Sequence, residues 1–341
     1  MNFERLELAA VDWDLLDAFE DRVVFQTRDW VEFVARSQGA DPVIAALRDG
    51  GETRGYFTGL IVRRYGFSIL GSPMPGWTTA FMGFNLEPGT SRRAATQALL
   101  DFAFGPLGCH HLELRDRNLT LTDVEGMGFA NTPWHGREID LRQTEEEILA
   151  GMKRMCRKAI RKSEREGVVI EEAEPDGFAE EHFAHVQDVF VKQSLVPPYD
   201  EQRIRDLIRD IYPSGRLLLL RALAPDGTSI ATGIFPAMNR SMHFVTSGSL
   251  RSHQGMRPNE PLVWYAIKWG KAKGFESCDL GGYMSYKEKY GGEDVYLPFL
   301  RKSRSAAVGR LRDLAQSAFT ARQRVSGALR SRGRKQSGQA A

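Results

Sequence analysis

The stretch that decides the fold is NEPLVWYAIKWGKAKGFESCDLGGYMSYKEKYGG, residues 259–292. It opens with the signals of a helix start, because Asn259 is a good N-cap residue and Glu260 suits the positive end of the helix dipole. Apolar residues then recur at helical spacing: Leu262, Ala266 and Trp269. Gly274 is able to adopt the left-handed conformation that ends a helix. The pattern therefore predicts a helix that begins at Asn259 and ends before Gly274.

A short strand is predicted directly after this helix, from Phe275 to Leu280, and a glycine pair follows it. Gly281 and Gly282 permit a close approach of backbone or ligand. Aromatic and cationic side chains then crowd into eight residues: Tyr283, Tyr286, Lys287, Lys289 and Tyr290. A loop of this composition beside a glycine pair is a candidate pocket wall, to which Gly281, Gly282, Tyr283 and Tyr290 are assigned.

Two blocks of the sequence carry a resemblance to a known family. Asp279-Leu-Gly-Gly282 with Tyr286-Lys-Glu-Lys-Tyr-Gly291 resembles the C-terminal signature of the Fem-type (FemAB and BioF2-like) branch of the GNAT N-acyltransferases. Arg157-Lys-Ala-Ile-Arg-Lys162 is similar to a second element of that branch, and tyrosine replaces phenylalanine twice in the first. The resemblance covers roughly Thr144 to Arg301 and implies an acyltransferase.

The order of helix and strand signals repeats once along the chain, which predicts an α/β fold of the α+β type. Each half has leading helices, a hairpin with an Asp-Gly turn, a helix that ends near Gly108 or Gly274, and a strand directly after it. This layout fits two tandem GNAT-like modules, each a mixed, mostly antiparallel sheet flanked by helices. The expected ranges are 1–143, 144–305, and a basic helical or disordered tail at 306–341.

The predicted elements of the first half begin with a helix over 27–37 and a hairpin of strands 42–48 and 54–64. A pocket-lining loop without periodicity is expected over 71–89, then a helix over 91–104 and strands over 111–115 and 138–141. The second half begins with the capping box Thr144-Glu-Glu-Glu147, which starts one helix that runs to Gly167. Helices over 178–195 and 201–211 and strands over 216–223, 229–237 and 242–249 follow.

The overall net charge of +2 hides an asymmetry. Residues 301–341 hold eleven of the 46 Lys/Arg and one of the 44 Asp/Glu, so residues 1–300 carry 35 basic and 43 acidic side chains, a net charge of −8. Three cysteines lie far apart without paired spacing, and the N-terminal residues lack a long apolar core. These features predict a cytoplasmic protein, with the basic tail available to an anionic membrane or RNA.

The loop from Arg251 to Asn259 connects a strand to the opening helix, where GNAT proteins hold the pyrophosphate of coenzyme A on free N–H groups. Arg251, Gln254, Gly255 and Arg257 are the candidate donor-binding residues, together with Asn259. The family spacing is missed, and Pro258 removes one N–H donor. An ordinary strand-to-helix connection is an equal alternative.

Lys287 is the first candidate for catalysis, because acyl transfer to an amine passes through an anionic tetrahedral intermediate that a fixed cation stabilises. The resemblance places it near the reacting ester, with Tyr286 beside it. The alternative is a solvated lysine on an exposed, glycine-flanked loop. Asp279 or a chain of waters is the candidate base for the amine proton.

The helix from Lys153 to Arg165 carries seven Lys/Arg and one acid, Glu164. Arg157, Arg161 and Lys162 are candidate ligands for the phosphates of a nucleotide or of a tRNA backbone. The plainer interpretation is a hydrated helix face. If these residues bind the donor, we expect them to share one cleft with Lys287 and the loop after Leu250.

The histidines favour no metal. His182 and His185 lie one helical turn apart without a third His or Cys ligand nearby, so a metal site is not predicted. His243 and Ser247 fall on one face of the strand that leads to the donor loop, which makes them pocket candidates.

The sequence therefore predicts an N-acyltransferase that moves an acyl group from acyl-CoA to an amine of a cell-envelope or polysaccharide precursor. The envelope acceptor is implied by the resemblance alone. Aminoacyl-tRNA is the alternative donor, which the acidic body disfavours. A non-catalytic basic module that binds nucleic acid or membrane is the rival class.

Overall fold

The computed structural model describes residues 1–64, 66–192, 197, 199–310 and 312 of the 341-residue chain. The helices α1–α8 are Trp13–Asp17, Arg28–Gln38, Arg92–Phe104, Glu145–Gly151, Arg154–Arg165, Phe178–Lys192, Glu201–Ile211 and Asn259–Ala272. The strands β1–β8 are Asn2–Arg5, Ala40–Asp49, Glu52–Arg64, Phe67–Ser72, Gly83–Leu86, His111–Leu114, Ala130–Asn131 and Trp134–Asp140. The strands β9–β16 are Val169–Glu172, Leu217–Leu223, Ser229–Met238, Ser241–His243, Thr246–Ser249, Ser277–Gly282, Glu293–Leu297 and Leu300–Ser303.

The strands form two mixed, mostly antiparallel sheets, as the sequence predicts. The first has the order β1-β2-β3-β4-β6-β16-β7, with β5 also paired to β3. The second has the order β15-β8-β14-β12-β11-β10-β9, with β13 also paired to β11. One neighbouring pair in each sheet is parallel, β4 with β6 and β12 with β14.

The two sheets exchange strands at their boundary. The strand predicted over 138–141 does not close the first half; as β8 it pairs with β14 and β15 of the second sheet. Ile139 of β8 is buried in the core of that sheet, which is the physical reason for its position. In return, β16 pairs with β6 and β7 of the first sheet. Each sheet is therefore completed by chain from the other half of the sequence.

A shared apolar core joins the two halves. Trp30 and Phe33 of α2 pack in the same cluster as Ile204 and Leu207 of α7. The side chain of Arg203 crosses this boundary and donates a hydrogen bond to Trp77 O at 2.7 Å. Burying one large apolar side chain contributes roughly 1.5–3 kcal/mol. The apolar cluster that contains Trp30 and Leu207 therefore contributes most to holding the two sheets together.

The helix predicted from Thr144 to Gly167 is two helices in the structure. The capping box is confirmed, since Thr144 and Glu147 exchange side-chain to backbone hydrogen bonds at 2.8 and 3.2 Å. The chain then leaves the helix at Met152, whose ψ is 147°. Lys153 N donates to Lys289 O at 2.9 Å, so a tertiary hydrogen bond replaces the helical one and α5 begins at Arg154.

The segment predicted as an irregular loop over 71–89 contains a strand. Gly83 to Leu86 form β5, which pairs with β3. Gly83 has φ +91°, and Phe84 N donates to the buried carboxylate of Asp116 at 2.7 Å. A side-chain acceptor distant in sequence thus fixes a strand that has too few residues to show periodicity.

The tail predicted over 306–341 lies outside the described residues, except for 306–310 and 312. Arg312 forms an ion pair with the buried carboxylate of Glu113 on β6. The described end of the tail therefore contacts the first sheet. Among the described residues, no helix combines the length and the apolar character that crossing a bilayer requires.

Candidate functional site

The candidate site lies where two neighbouring strands of the second sheet separate. β12 and β14 run parallel as far as His243 and Asp279, and Phe244 N donates the last bond, to Asp279 O, at 2.7 Å. Beyond this point β13 pairs with β11, and Gly282 at the end of β14 pairs with Gly136 of β8. The result is an opening between β13 and β14, here called the splay, whose edges carry backbone groups.

Lys287 reaches into the splay from the 3-10 turn Ser285–Tyr290. Its Nζ donates to Leu280 O at 2.5 Å and to Gly282 O at 3.1 Å. The same Nζ lies 5.4 Å from the centre of the Phe244 ring, a cation–π distance. An ammonium has three N–H donors, and within the described part of the chain two of them have acceptors. The third is available to a ligand.

Gly281 is the glycine of the pair that this geometry requires. It has φ +77°, and a Cβ there would lie 3.3 Å from Phe244 O and 3.5 Å from Lys287 Nζ. Any side chain at this position would be strained by the positive φ and crowded against Phe244 O. The path of the chain around the ammonium therefore depends on Gly281.

Lys287 is buried, against the expectation of an exposed loop residue; only 7% of its surface is accessible. Burial lowers the pKa of Lys287 to about 8, and the carboxylate of Asp279 opposes this shift. A lysine with this pKa is mainly protonated at neutral pH but titrates close to it. The plainer alternative of a solvated lysine is wrong.

Asp279 and His243 form a buried pair under the splay. Their side chains approach to 3.5 Å, and Gly281 N donates to Asp279 at 2.6 Å. Burial alone raises the pKa of Asp279, but His243, this backbone N–H and the charge of Arg117 outweigh it, so the pKa lies below its usual value. A carboxylate with a lowered pKa is a weak base. The structure therefore favours an electrostatic role for Asp279 over proton abstraction.

The tyrosines divide into one buried and two exposed residues. Tyr290 is buried, and its hydroxyl donates to Asn259 O at 3.3 Å. Tyr286 and Tyr283 remain 48% and 40% exposed on the outer side of the turn. His135 of β8 stacks on Tyr283 with a ring-centre distance of 4.1 Å. Both exposed tyrosines belong to the segment that carries the glycine pair and Lys287.

The loop from Arg251 to Pro258, before α8, is linked to the Lys287 turn through one carboxylate. Glu260, in the first turn of α8, is buried and accepts from Arg257 at 2.6 Å and from Lys289 at 2.9 Å. Arg257 takes the left-handed conformation, with φ +59°. The loop before α8 and the turn that carries Lys287 are therefore neighbours, as the sequence predicts.

The side chains of the loop itself have separate positions. Arg251, Gln254 and Gly255 are exposed in the 3-10 turn Arg251–Met256, so they are accessible to a ligand. Asn259 is not the N-cap of α8, because that place is taken by Pro258. Its side chain instead donates to Ser249 at 3.0 Å and ties the helix start to β13.

The basic helix does not share the cleft, and this expectation is wrong. α5 packs on α8 through its buried residues Cys156, Ala159 and Ile160, which leaves Arg161 on the opposite, exposed side. Arg157 donates to Ala150 O at 2.8 Å and so binds the free carbonyls at the end of α4. Lys162 pairs with Glu166 at 3.4 Å. Within the described ranges, none of the three forms a hydrogen bond or an ion pair with the Lys287 turn.

Phe244 and Glu260 are site residues that sequence reasoning missed. A single aromatic residue in a strand and a glutamate at a helix start are common, and neither pattern indicates contact with a lysine. Ser247, a pocket candidate, is half-buried on β13, where it pairs with Gly233 of β11. His182 and His185 both contact Thr232 at 3.0 and 3.1 Å, which assigns them to packing of α6 on the sheet.

Two clefts of the structure lie outside this cluster. One, of about 580 Å³, is lined by residues of α2, α6 and α7, including Arg203. The other, of about 380 Å³, lies at the far end of β14 and includes Ser277. Neither cleft is lined by Lys287. The candidate site is therefore defined by the contacts around Lys287 and Asp279, and not by cavity size.

Comparison with known proteins shows which domain and which folds the chain is similar to. Residues 150–294 match the acetyltransferase (GNAT) domain family. Among curated proteins, none matches the sequence significantly. The structure is similar to FemX, with a TM-score of 0.71 and 12% identity over 86% of this chain and 96% of that one.

Two further solved structures share the architecture. A tandem GNAT protein from the clavulanic acid biosynthesis pathway has a TM-score of 0.51 and 13% identity, over 89% of this chain and 99% of that one. L-PGS from Bacillus licheniformis has a TM-score of 0.51 and 14% identity, over 84% and 95%. The matched domain contains Lys287, Asp279 and the loop before α8. Residues 150–294 therefore form a GNAT acetyltransferase domain, within a chain whose fold is similar to those of FemX and of a tandem GNAT protein.

Proposed function

We propose that the protein transfers an acyl group from acyl-CoA to an amine of a cell-envelope or polysaccharide precursor. The observation that supports this proposal most is the ammonium of Lys287, held in the splay by Leu280 O and Gly282 O, whose third N–H has no acceptor among the described residues. A donor fixed by two backbone acceptors needs no reorganisation when charge develops beside it.

In the proposed reaction the acyl carbonyl of the donor lies in the splay. The neutral amine of the acceptor attacks the carbonyl carbon, and the carbonyl oxygen becomes an oxyanion that receives the third N–H of Lys287. The C–S bond then breaks, and the sulfur leaves as the thiolate of coenzyme A. The nitrogen loses one proton to a chain of waters, through which the thiolate is protonated. Asp279 keeps the ammonium charged, since its carboxylate raises the pKa that burial lowers.

The donor phosphates are proposed to bind at the start of α8. The exposed side chains of Arg251, Gln254 and Arg257 and the flexible backbone of Gly255 are the proposed contacts. A helix N-terminus with nearby guanidinium groups is favourable for phosphate. Because Glu260 already neutralises part of this charge, we expect moderate donor affinity.

The acceptor class rests on the resemblance and on one feature of the surface. Tyr283 and Tyr286 present exposed rings beside the splay, where the apolar face of a sugar ring can pack. An amino sugar would then place its nitrogen over the opening.

Aminoacyl-tRNA is the second candidate donor, favoured by the seven Lys/Arg of residues 153–165. The position of Arg161 on the far side of α5 argues against it, because that face is turned away from Lys287. The GNAT domain match favours an enzyme over a non-catalytic basic module.

The experiment that tests the proposal compares donors with the full-length protein. Thermal shift and turnover are measured with acetyl-CoA and with charged tRNA, using glucosamine as the amine probe. We expect saturable stabilisation by acetyl-CoA. Stabilisation by charged tRNA alone would overturn the choice of donor.

A further inference from the structure

The outer face of α5 carries cations that the donor site does not use. Four of them lie opposite the buried residues of the helix and point to solvent: Arg154, Lys158, Arg161 and Arg165. The stripe is roughly 16 Å long at 1.5 Å per residue. In the part of the chain that the structure describes, no carboxylate pairs with any of these four.

The helix α7 shows that this arrangement is not general for this protein. α7 is also rich in arginine, but Arg205 pairs with Glu180 and Glu201 at 2.5 and 2.6 Å, and Arg209 pairs with Asp206 and Asp210 at 2.7 and 2.9 Å. Carboxylates thus neutralise the arginines on the hydrated face of α7. The four cations on the outer face of α5 are not neutralised in this way. Four unpaired like charges repel one another, so an anionic partner is favoured.

The most exposed large apolar side chain of the described residues stands beside this stripe. Met155 is 67% accessible, and on the helix surface it lies one turn before Lys158 and two turns before Lys162. The turn with exposed Met284 and Tyr286 adjoins the same end of α5, because Lys153 pairs with Glu288 at 2.6 Å. Cations next to projecting apolar and tyrosine side chains are the combination that binds a membrane interface.

We propose that the outer face of α5 docks on an anionic lipid bilayer. The cations contact lipid phosphates, and Met155 enters the boundary between headgroups and acyl chains. A bilayer is favoured over RNA because the exposed aliphatic side chain of Met155 suits the boundary of headgroups and acyl chains, whereas a phosphate backbone offers it no apolar contact.

The test is co-sedimentation of the full-length protein with vesicles. Vesicles of phosphatidylcholine alone are compared with vesicles of phosphatidylcholine and phosphatidylglycerol in equal parts. The proposal expects binding to the anionic vesicles that weakens with salt. Lys158→Gln with Arg165→Gln should weaken it by about 25-fold, at about fivefold per cation. Met155→Ser should weaken it further, in a step that salt does not change.

The matched control is Arg28→Gln with Arg93→Gln, which removes two exposed cations from helices of the first half of the chain. Its binding should change by less than about twofold, because these cations lie outside the stripe. All variants should keep the wild-type melting temperature. Equal binding by the Lys158/Arg165 variant and the wild type would overturn the proposal and assign membrane binding to the basic tail. Binding to bulk tRNA without binding to anionic vesicles would overturn it in favour of RNA.

Discussion

Replacing Lys287 by methionine separates the proposed chemistry from the fold. Methionine keeps much of the stem and its apolar bulk but removes the three N–H donors. If the ammonium stabilises the oxyanion, turnover should fall by about 10²–10³, the scale for the loss of one such donor. The KM for acetyl-CoA should change much less, since the interaction strengthens in the transition state.

The same substitution should also lower the free energy of unfolding, because Leu280 O and Gly282 O lose their donor at a buried position. At roughly 1 kcal/mol for each lost bond, we expect a loss of about 2 kcal/mol. Urea unfolding measures this loss, and thiol release from acetyl-CoA at a temperature where the variant is folded measures turnover. Lys273→Met, an exposed lysine in the same half of the chain, is the control and should change neither quantity. Near-normal turnover of folded Lys287→Met would refute the assignment.

The pKa of Lys287 adds a second readout to this prediction. Because burial lowers it to about 8, turnover should fall as pH rises through about 8 and the ammonium is lost. The free energy of unfolding depends on pH in the opposite direction and increases as pH rises. Between about 8 and the ordinary value near 10.4 the unfolded chain binds more protons, so Lys287 contributes stability that increases with pH over this range. Urea midpoints across this range, compared with Lys287→Met, measure the effect.

Three further predictions follow from buried or capping contacts. Arg312→Ala should lower the free energy of unfolding by about 3 kcal/mol in urea titrations, because it leaves the carboxylate of Glu113 buried without its cation; an unchanged midpoint would contradict the packing of Arg312. Asp279→Asn should remove an acid-dependent part of stability. The lowered pKa of Asp279 makes that part present above the unfolded value near 4, and it is lost as pH falls through the folded value. The free energies of unfolding of wild type and variant should therefore converge at low pH. Arg157→Ala should lower the free energy of unfolding by about 1 kcal/mol in thermal unfolding, because carbonyls at the end of α4 lose their donor. The KM for acetyl-CoA should not change. A raised KM would instead indicate that Arg157 binds the donor.

Local signals in the sequence were sufficient for most helices of the fold. The capping box at Thr144 and the turn at Gly274 are read from neighbours within four residues, and both are confirmed. The end of α4 at Met152 was not predictable, because it depends on a hydrogen bond between Lys153 and Lys289, far apart in sequence. The exchange of β8 and β16 between the sheets is non-local in the same way.

The site shows the same division between local and distant information. The resemblance at Tyr286 to Gly291 indicated Lys287, but composition suggested an exposed loop. Its burial depends on Phe244 and on the separation of β13 from β14, which no pattern around Lys287 encodes. The position of Arg161 was predicted wrongly for a related reason. Helix periodicity predicts which residues share a face, but it does not predict which face packs on α8.

The most direct test of the account is a crystal structure with a non-transferable acetyl-CoA analogue. The account predicts the acyl oxygen within hydrogen-bond distance of Lys287 Nζ in the splay, and the pyrophosphate on the loop from Arg251 to Arg257. An analogue bound elsewhere, or one that seats its acyl oxygen away from Lys287, would contradict the central claim.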